Sequence, residues 1–391
     1  MSIGAAPTTD ADAIERARAL HKALAGGAAE RDGGRLFPHA ELDLVSASGL
    51  FALGVPAARG GPGVADSTLV EVARLLAVAD PNIAQILQNH QAALEGLRCA
   101  AYPEATVDAV YADVLGGARL AGTSAERFGR QGEHRTRATR LASGDWELNG
   151  EKCYSTGALG ATWLTVGAVD DDGAAVRAVL RADHPGVERV DDWDAIGQRS
   201  TGSGTTTYRH CVVPGVQVAV GPPVAPLFTP VLQGIHVAVQ VGIARAALDD
   251  AIDFARDGAR PWGSAGVERA SHDPHVVEAV GALAAKVAAA EALLASAGPL
   301  IDAARLAGAA ELRAARTACA LARSFAITVA LEASDTLFAV GGTRSALSGH
   351  AFDRHWRNAR THALQTPQRW TNHYVGDWIL NDTEPPSNGH I

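Results

Sequence analysis

The sequence predicts a mainly α-helical protein with a small antiparallel β domain between two helical parts. Residues 9–115 are alanine-rich with helical spacing, residues 116–216 contain short β-rich runs, and helical spacing returns after Pro223. A C-terminal four-helix bundle fits that last zone. We expect these domains: an N-terminal helical domain over 1–115, a β domain over 116–222, and a helical bundle with a tail over 223–391.

The first two zones differ in the period of their apolar residues. Helix-like segments such as "DSTLVEVARLLAVAD" are separated by glycine-dense turns such as "RGGPG" in the first zone. In the second zone the runs "TWLTVGAV", "AVRAVLRA" and "TTTYRHCVVP" are separated by the turns "DDDG", "HPG" and "TGSG". The change of period marks the passage from helices to strands.

The third zone contains two long helical segments. The first has an apolar stripe with alternating spacings of four and three, formed by Val276, Val280, Leu283, Val287, Ala290 and Leu294. The second, over 311–338, is expected to place Ala318, Leu321 and Phe325 on one side and Arg313, Arg316 and Arg323 toward water or another subunit. Such faces favour a helical bundle and an oligomer.

Composition excludes several classes of protein. The chain has 391 residues, 47% hydrophobic and 20% charged, which is typical of a globular enzyme and not of a disordered chain. A net charge of −9 argues against nucleic acid or an anionic membrane as the partner. No apolar run approaches membrane-spanning length, so we expect a cytoplasmic protein. The four scattered cysteines predict free thiols and no metal site.

Three segments carry a resemblance to a known family. They are "ELNGEKCYSTGALGATWLTVGAV", "DWDAIGQRSTGSGTTTYRHCVVP" and the tail "FAVGGTRSALSGHAFDRHWRNARTHALQTP". They resemble the acyl-CoA dehydrogenase superfamily, and within it the flavin-dependent monooxygenase branch that includes dibenzothiophene monooxygenase and sulfur-acquisition oxidoreductases. The resemblance covers nearly the whole chain and implies an acyl-CoA dehydrogenase-like fold.

The resemblance assigns residues to the flavin ring. "AGTSAE" resembles the loop along the pyrimidine side of the isoalloxazine, with Thr123 and Ser124 as donors, although a capped turn explains the same residues. "KCYSTGA" resembles the stretch in which an aromatic residue covers the flavin and a hydroxyl points at N5. If that stretch is a strand, Tyr154 and Thr156 share one face. An ordinary edge-strand threonine is the alternative.

Two further motifs resemble cofactor contacts. "ARPWG", with Arg260 and Trp262, resembles the signature through which one subunit reaches the cofactor of its neighbour. "VGGTR", with Gly341 and Gly342, resembles the turn that lets the backbone approach the same cofactor. A glycine pair also ends many helices, so the second motif depends on the first.

The tail "RHWRNARTHALQTP" contains three arginines and two histidines, and no carboxylate follows until Asp377. In dehydrogenases of the superfamily a glutamate removes the α proton of an acyl thioester. The two places where that base occurs, after "RNAR" and near Leu232, contain no Asp or Glu here. A missing base costs roughly a hundredfold or more in rate, so the sequence disfavours a dehydrogenase.

Histidines are the candidate acids. His362 resembles the tail histidine of the monooxygenase branch, which would hydrogen bond to an oxygen adduct of the flavin and titrate near the working pH. His90 resembles a histidine that borders the substrate pocket. A structural hydrogen bond is the alternative for each. Related tails often carry a second histidine three residues later, where this chain has Gln365.

The resemblance implies a two-component monooxygenase that uses O2 and FMN as FMNH2, with FAD possible, through a C4a-peroxyflavin. It would oxygenate an apolar small molecule by S-oxidation or aromatic hydroxylation. A separate NAD(P)H:flavin reductase would supply reduced flavin, because no nucleotide-binding motif for NADH is evident. A homotetramer or homodimer is expected. The alternatives are an acyl-CoA dehydrogenase with a displaced base and a non-catalytic oligomeric scaffold.

Overall fold

The computed structural model of the protein describes residues 4–129, 133–223, 228–306 and 308–384. Its first part is helical. Two of the helices begin with a side-chain cap: Thr9 accepts from the amide of Asp12, and Asp80 accepts from the amide of Asn82. The helices are α1 (Asp10–Ala25), α2 (Ala28–Gly34), α3 (His39–Ala47), α4 (Asp66–Ala79), α5 (Pro81–Cys99) and α6 (Glu104–Leu115).

A single curled sheet follows. Its strands are β1 (Leu120–Thr123), β2 (Arg137–Arg140), β3 (Trp146–Lys152), β4 (Trp163–Val169), β5 (Ala175–Arg181), β6 (Val187–Val190), β7 (Thr205–Val213) and β8 (Val218–Val220). They pair in the order β6-β7-β3-β2-β4-β5-β8, with β1 added beside β4. Most pairs are antiparallel, as predicted, but β1 and β2 each pair with β4 in parallel. The parallel pairing of β1 brings the loop after Thr123 to the same edge as the end of β4.

The third part is helical again. Its helices are α7 (Thr229–Asp253), α8 (Pro274–Leu306), α9 (Ala309–Gly341), α10 (Asp353–Ala363) and α11 (Gln368–Asn381). A π-helical turn, Phe254–Gly258, extends α7. The succession of helices, sheet and helical bundle confirms the predicted fold class.

Helix α7 is the centre of the largest core. It packs between α4 of the N-terminal part and α8 and α9 of the bundle, so one apolar cluster joins the two helical parts. The approach to α4 is close, because a Cβ on Gly242 would lie 2.5 Å from the Cβ of Ala77. The sheet has a separate core of its own.

The apolar stripe predicted for α8 is confirmed for Leu283, Val287, Ala290 and Leu294, which are buried. The face predicted for α9 is confirmed for Ala318 and Phe325, which pack against the core, and is wrong for two other residues. Leu321 is exposed, whereas Arg323 is 1% exposed. Nearly every turn of α9 carries alanines, and alanines fit either side of a helix, so the apolar spacing did not fix its rotation.

Two helices have the length and hydropathy of membrane spans, contrary to the expectation from the sequence. These are Thr229–Gly258 and Ala309–Ala346. In the first, 83% of the apolar window is buried inside the protein, which is the behaviour of a core helix. The four cysteines are free and buried, as their spacing predicted.

Candidate active site

Helix α5 presents a polar stripe where the sheet meets the bundle. Asn89 donates to the carbonyl of Thr156, with 2.6 Å between Nδ2 and O. The neighbouring Gln88 contacts His362, with 3.3 Å between Oε1 and Nε2. Gln85, one turn earlier, is buried. Two candidate catalytic residues from distant parts of the chain therefore meet consecutive residues of one helix.

Tyr154 and Thr156 do not share the face of a strand, because β3 ends at Lys152. Tyr154 adopts a left-handed backbone conformation, with φ of 54°, and Gly157 follows with φ of 77°. The turn leaves Tyr154 59% exposed and Thr156 7% exposed. A non-glycine residue with positive φ is uncommon and often marks a functional turn.

The Tyr154 ring packs edge-on against Trp193, with 5.8 Å between ring centroids. Trp193 in turn donates from Nε1 to the carbonyl of Gln198 at 2.8 Å. An exposed aromatic side chain held by a second ring is a suitable platform for a planar ligand. Its place beside Thr156 keeps both residues as candidates for flavin contact.

Thr123 is not available to a ligand through its side chain. The residue is 0% exposed, and its hydroxyl donates to the carbonyl of Thr165 and contacts the hydroxyl of Tyr208 at 2.7 Å. Alternation along β1 turns this side chain into the core of the sheet. Ser124, the next residue, is exposed and remains the candidate donor of this loop.

The loop that carries Ser124 is fixed by a buried ion pair. Lys152 is 0% exposed and donates to Glu126 at 2.6 Å and to the Ser124 carbonyl at 3.4 Å. Burial favours a higher pKa for Glu126, but hydrogen bonds from Lys152 and the Thr136 and Arg135 amides hold that pKa at about 2. Burial lowers the pKa of Lys152, and Glu126 opposes this shift.

His362 is fully buried at the end of α10. The amide nitrogen of Gln240 lies 3.1 Å from its Nδ1 and 3.1 Å from the carbonyl of Ala359. The carbonyl of Ala359 can only accept, so the atom of Gln240 that faces it must be the amide nitrogen. The same nitrogen donates its second hydrogen to Nδ1 of His362, which must therefore accept. The proton of His362 is therefore on Nε2, directed at the Oε1 of Gln88.

The imidazole of His362 is neutral at ordinary pH. Burial, and then the charge of Arg323, lower its pKa to about 3. The expectation that it titrates near the working pH is wrong, because the sequence shows neither the burial nor the nearby guanidinium. His362 can still donate a hydrogen bond from Nε2.

His236 is a further candidate site residue that the sequence motifs did not indicate. Its ring lies against that of His362, with centroids 4.1 Å apart, and it is 3% exposed. Its Nε2 and the Oε1 of Gln240 have no hydrogen-bond partner in the described part of the chain. Both residues lie on α7, one turn apart. Two polar side chains at this spacing inside an apolar helix were the signal that could have identified them.

His90 makes two hydrogen bonds to the backbone in place of the pocket contact that the resemblance implied. Its Nδ1 accepts from the amide of Leu120 at 2.9 Å, and its Nε2 donates to the carbonyl of Phe51 at 2.8 Å. The residue is 0% exposed, and burial lowers its pKa to about 4. Both ring nitrogens are used, so His90 fastens α5 to β1 and to the turn at Phe51. For His90, a structural hydrogen bond is therefore the better interpretation.

We expect His90→Ala to destabilise the protein by about 2–4 kcal/mol, because two buried backbone groups lose their partner and a cavity forms. Urea unfolding followed by circular dichroism measures this change. At a temperature where the variant is folded, affinity for FMN should stay close to that of the parent protein. Loss of FMN binding by a folded variant would show that His90 belongs to the site after all.

Buried neutral histidines also predict sensitivity to acid. The unfolded chain binds protons from about pH 6.5, whereas folded His90 and His362 bind them only near 4 and 3. The free energy of unfolding should therefore fall below pH 6.5, by about 1.4 kcal/mol per pH unit for each histidine. Urea titrations at several pH values should show that the free energy of unfolding depends less steeply on pH in His90→Gln than in the parent protein. Equal slopes would contradict the assignment.

The motif predicted to reach a neighbouring subunit lies on the surface. Arg260 is exposed and Trp262 is 77% exposed, in the segment after the π-helical turn. Gly341 ends α9, where a Cβ would lie 2.9 Å from the ring of Phe254, and Gly342 has φ of 60°. The glycine pair therefore packs against the start of the π-helical turn that leads to Arg260. No contact in the single chain joins these residues to Thr156 or His362 among the described residues.

The arginines of α10 hold the tail against the rest of the chain. Arg357 pairs with Asp32 of α2, a carboxylate that is 1% exposed. Arg354 donates to Asp250 of α7 at 2.9 Å, and His355 contacts the same carboxylate at 2.7 Å. These bonds place α10 so that His362 faces α5 and α7.

The surroundings of Thr156 contain buried polar atoms that need partners. In the described residues no hydrogen bond reaches the Ser155, Ser200 or Thr206 hydroxyls or the side-chain amide of Gln198. An unsatisfied buried group costs about 1–3 kcal/mol, so such a cluster indicates a site for a polar ligand. Together with Ser124 and Tyr154, these groups suit the hydrogen-bonding edge of a flavin. The arrangement fits the cofactor that the sequence motifs imply.

Comparison with known proteins agrees with this geometry. A family model described as "Acyl-CoA dehydrogenase, C-terminal domain" matches residues 234–367. A dibenzothiophene monooxygenase of Rhodococcus erythropolis is 32% identical over 397 residues, covering 96% of this chain and 95% of that protein. The chain belongs to the flavin-dependent monooxygenase branch of the acyl-CoA dehydrogenase superfamily. The resemblance inferred from the motifs is thereby confirmed.

Two further proteins show the same similarity along nearly the whole chain. A "Probable FMNH2-dependent monooxygenase SfnC" of Pseudomonas putida is 30% identical over 386 residues, covering 95% of this chain and 96% of that protein. The crystal structure of FMN-bound TdsC from Paenibacillus sp. A11-2 superposes with a TM-score of 0.91 at 30% identity, covering 97% of this chain and 100% of that one. The fold of this branch extends over nearly the whole chain.

Proposed function

We propose that the protein is a reduced-flavin-dependent monooxygenase that transfers one oxygen atom of O2 to a small molecule. The observation that carries the proposal is that Thr156 and the neutral imidazole of His362 meet consecutive residues of α5: Asn89 donates to the backbone carbonyl of Thr156, and Gln88 contacts the ring of His362. When bound, FMNH2 supplies two electrons to O2, so that one oxygen atom enters the substrate and the other leaves as water. The relatives that work with FMN support FMN as the cofactor.

The protein residues have distinct tasks in this proposal. Ser124, Tyr154 and Thr156 hold the flavin ring, and Arg260 and Trp262 of a second subunit, with Gly341 and Gly342, approach its phosphate end. His362 holds its proton on Nε2, which faces Oε1 of Gln88, and this N–H is the donor proposed for the reacting oxygen. Burial between α5, α7 and α10 keeps water away from this donor.

The dehydrogenase alternative lacks its base. Within the described part of the chain, Thr156 and His362 form polar side-chain contacts with Asn89, Ser203, Gln88 and Gln240, and none of these is a carboxylate. A relative described as a probable acyl-CoA dehydrogenase of Mycobacterium bovis matches only 61% of the chain at 29% identity. Removal of an α proton without a carboxylate at this site is therefore disfavoured.

The substrate is proposed to be a small sulfur compound or an electron-rich aromatic ring, oxygenated at sulfur or carbon. Relatives act on dibenzothiophene and, in a structure from Pseudomonas fluorescens that superposes with a TM-score of 0.87, on methanesulfinate. A separate flavin reductase would provide FMNH2. A homotetramer or homodimer in the cytoplasm completes the proposal, and the exposed Trp262 is consistent with a subunit contact.

The test combines the protein with a flavin reductase, NADH, FMN and 18O2. Dibenzothiophene and methanesulfinate are the two probes, one an apolar ring system and the other a small anion. We expect mass spectrometry to show one 18O atom in the product of one of the probes. Absence of labelled product, together with bleaching of bound oxidised flavin by an acyl-CoA without oxygen, would favour the dehydrogenase.

A further inference from the structure

We infer that a one-way chain of hydroxyl hydrogen bonds makes Thr156 a hydrogen-bond acceptor, so that the site selects reduced FMN over oxidised FMN. The chain runs from Thr156 through Ser203 and Thr201 to the carbonyl of Gln198. The inference rests on the proposed function, because it takes the ligand beside Thr156 to be the flavin ring. Ser203 and Thr201 then act as positioning residues that orient a proton.

Three short contacts form the chain. The Thr156 and Ser203 hydroxyl oxygens are 2.7 Å apart, and those of Ser203 and Thr201 are 2.6 Å apart. The hydroxyl of Thr201 donates to the carbonyl of Gln198 at 2.8 Å. All four residues are buried, so water does not compete for these groups.

The carbonyl of Gln198 sets the direction of the hydrogen-bond chain. A carbonyl can only accept, so the single proton of the Thr201 hydroxyl points at Gln198. The hydroxyl of Thr201 must then accept from Ser203, and the hydroxyl of Ser203 must accept from Thr156. The reverse order would leave two oxygens 2.8 Å apart with no proton between them.

The carbonyl is itself held in place. Gln198 is 3% exposed and has φ of 53°, a conformation that is uncommon for a residue with a side chain. Trp193 donates to the same carbonyl from Nε1 at 2.8 Å. The backbone amide of Gln198 donates to the side-chain oxygen of Asn358 on α10 at 2.6 Å. The carbonyl of Gln198 is therefore fixed in place and keeps accepting the proton of the Thr201 hydroxyl.

Thr156 is left with lone pairs and no proton for a ligand. Its amide donates to the carbonyl of Tyr154, its carbonyl accepts from Asn89, and its hydroxyl proton is directed at Ser203. Any ligand atom that meets the Thr156 hydroxyl oxygen must therefore donate a hydrogen bond. Ring nitrogen N5 of a reduced flavin carries a hydrogen, whereas N5 of the oxidised flavin carries a lone pair. The oxidised ring would place two acceptors against each other.

This selectivity suits a cofactor that exchanges during turnover. A two-component enzyme must take up the reduced flavin that a reductase delivers, and it must release the oxidised flavin afterwards. A fixed acceptor at Thr156 favours binding of the reduced form and weakens binding of the oxidised form, with no movement of the protein. The number of hydroxyls matters less than the carbonyl that fixes their direction.

The experiment measures two dissociation constants for each variant, with oxidised FMN and with dithionite-reduced FMN under anaerobic conditions. The parent protein should bind reduced FMN at least about tenfold more tightly, which raises the potential of bound FMN by about 30 mV over free FMN. In Ser203→Ala and Thr201→Val the hydroxyl of Thr156 can turn its proton to the ligand, so the ratio should fall toward one. Thr371→Val, a buried threonine of α11, is the matched control and should keep the parent ratio.

The ratio separates orientation from structure. A purely structural role for Ser203 and Thr201 would weaken both forms of FMN equally and leave the ratio unchanged, and that result would overturn the inference while the proposed function stands. Equal affinity of the parent protein for both forms would overturn it too. Failure of the parent protein to bind either form would reject the proposed function with it. Two variants are used so that a folding defect in one still leaves the other to decide.

Discussion

His362→Phe should lower product formation by about a hundredfold or more, because it removes the Nε2–H donor that faces Gln88. Phenylalanine keeps a ring against His236, so packing of the two rings is largely retained. Flavin oxidation should continue and release H2O2 in place of product. The measurement is product formed per NADH consumed, with reductase in excess.

The control for this experiment is Gln365→Ala. Gln365 occupies the position where related tails carry a second histidine, but its side chain is exposed. We expect activity to change by about twofold or less. Two results would contradict the assignment of the donor to His362. One is an unchanged yield of product per NADH in His362→Phe, and the other is a large loss of activity in Gln365→Ala, which would place the donor in the loop that follows α10.

Lys152→Met should destabilise the protein by about 3–5 kcal/mol, because it leaves the carboxylate of Glu126 buried without its cation. That loss is a large part of the roughly 5–15 kcal/mol that is typical of a folded protein. The loop of Ser124 should also loosen, because Lys152 donates to its carbonyl. Urea unfolding measures the first effect, and FMN titration measures the second.

Two further variants make the result specific to the buried pair. The double variant Lys152→Met with Glu126→Gln removes both charges and should recover much of the lost stability. Lys286→Met breaks an exposed pair with Glu332 and should cost about 1 kcal/mol or less. A similar cost for Lys152→Met and Lys286→Met would show that burial of the first pair does not matter.

The sequence by itself determined the order of the secondary structure and the family. The apolar stripe of α8 repeats along adjacent turns, and the strands between Leu120 and Val220 are short and bounded by glycine turns. These are local properties, fixed by residues two to four positions apart, so periodicity reports them. The tail motif around His362 is equally local, and together with the two motifs of the β domain it was sufficient to recognise the family.

Local spacing gave a wrong prediction where the same pattern of apolar residues fits more than one local structure. Arg323 was expected to face water or another subunit, but α9 turns it inward, where it donates to the carbonyl of Thr366 in the tail. Tyr154 and Thr156 were expected on one face of a strand, but β3 ends before them and Tyr154 itself adopts a left-handed conformation. A turn is decided by two dihedral angles, and the pattern of apolar residues does not reveal those angles.

Only the tertiary structure decided which histidine donates to a side chain of α5 and which donates to the backbone. His90 and His362 both lie in helices of mixed polarity. His90 uses both ring nitrogens on the backbone of Phe51 and Leu120, whereas Nε2 of His362 faces the side chain of Gln88. Gln88 and His362 are 274 residues apart in the chain. Hydrogen bonds over such separations depend on how α5, α7 and α10 pack together, and the composition of each helix alone does not contain that information.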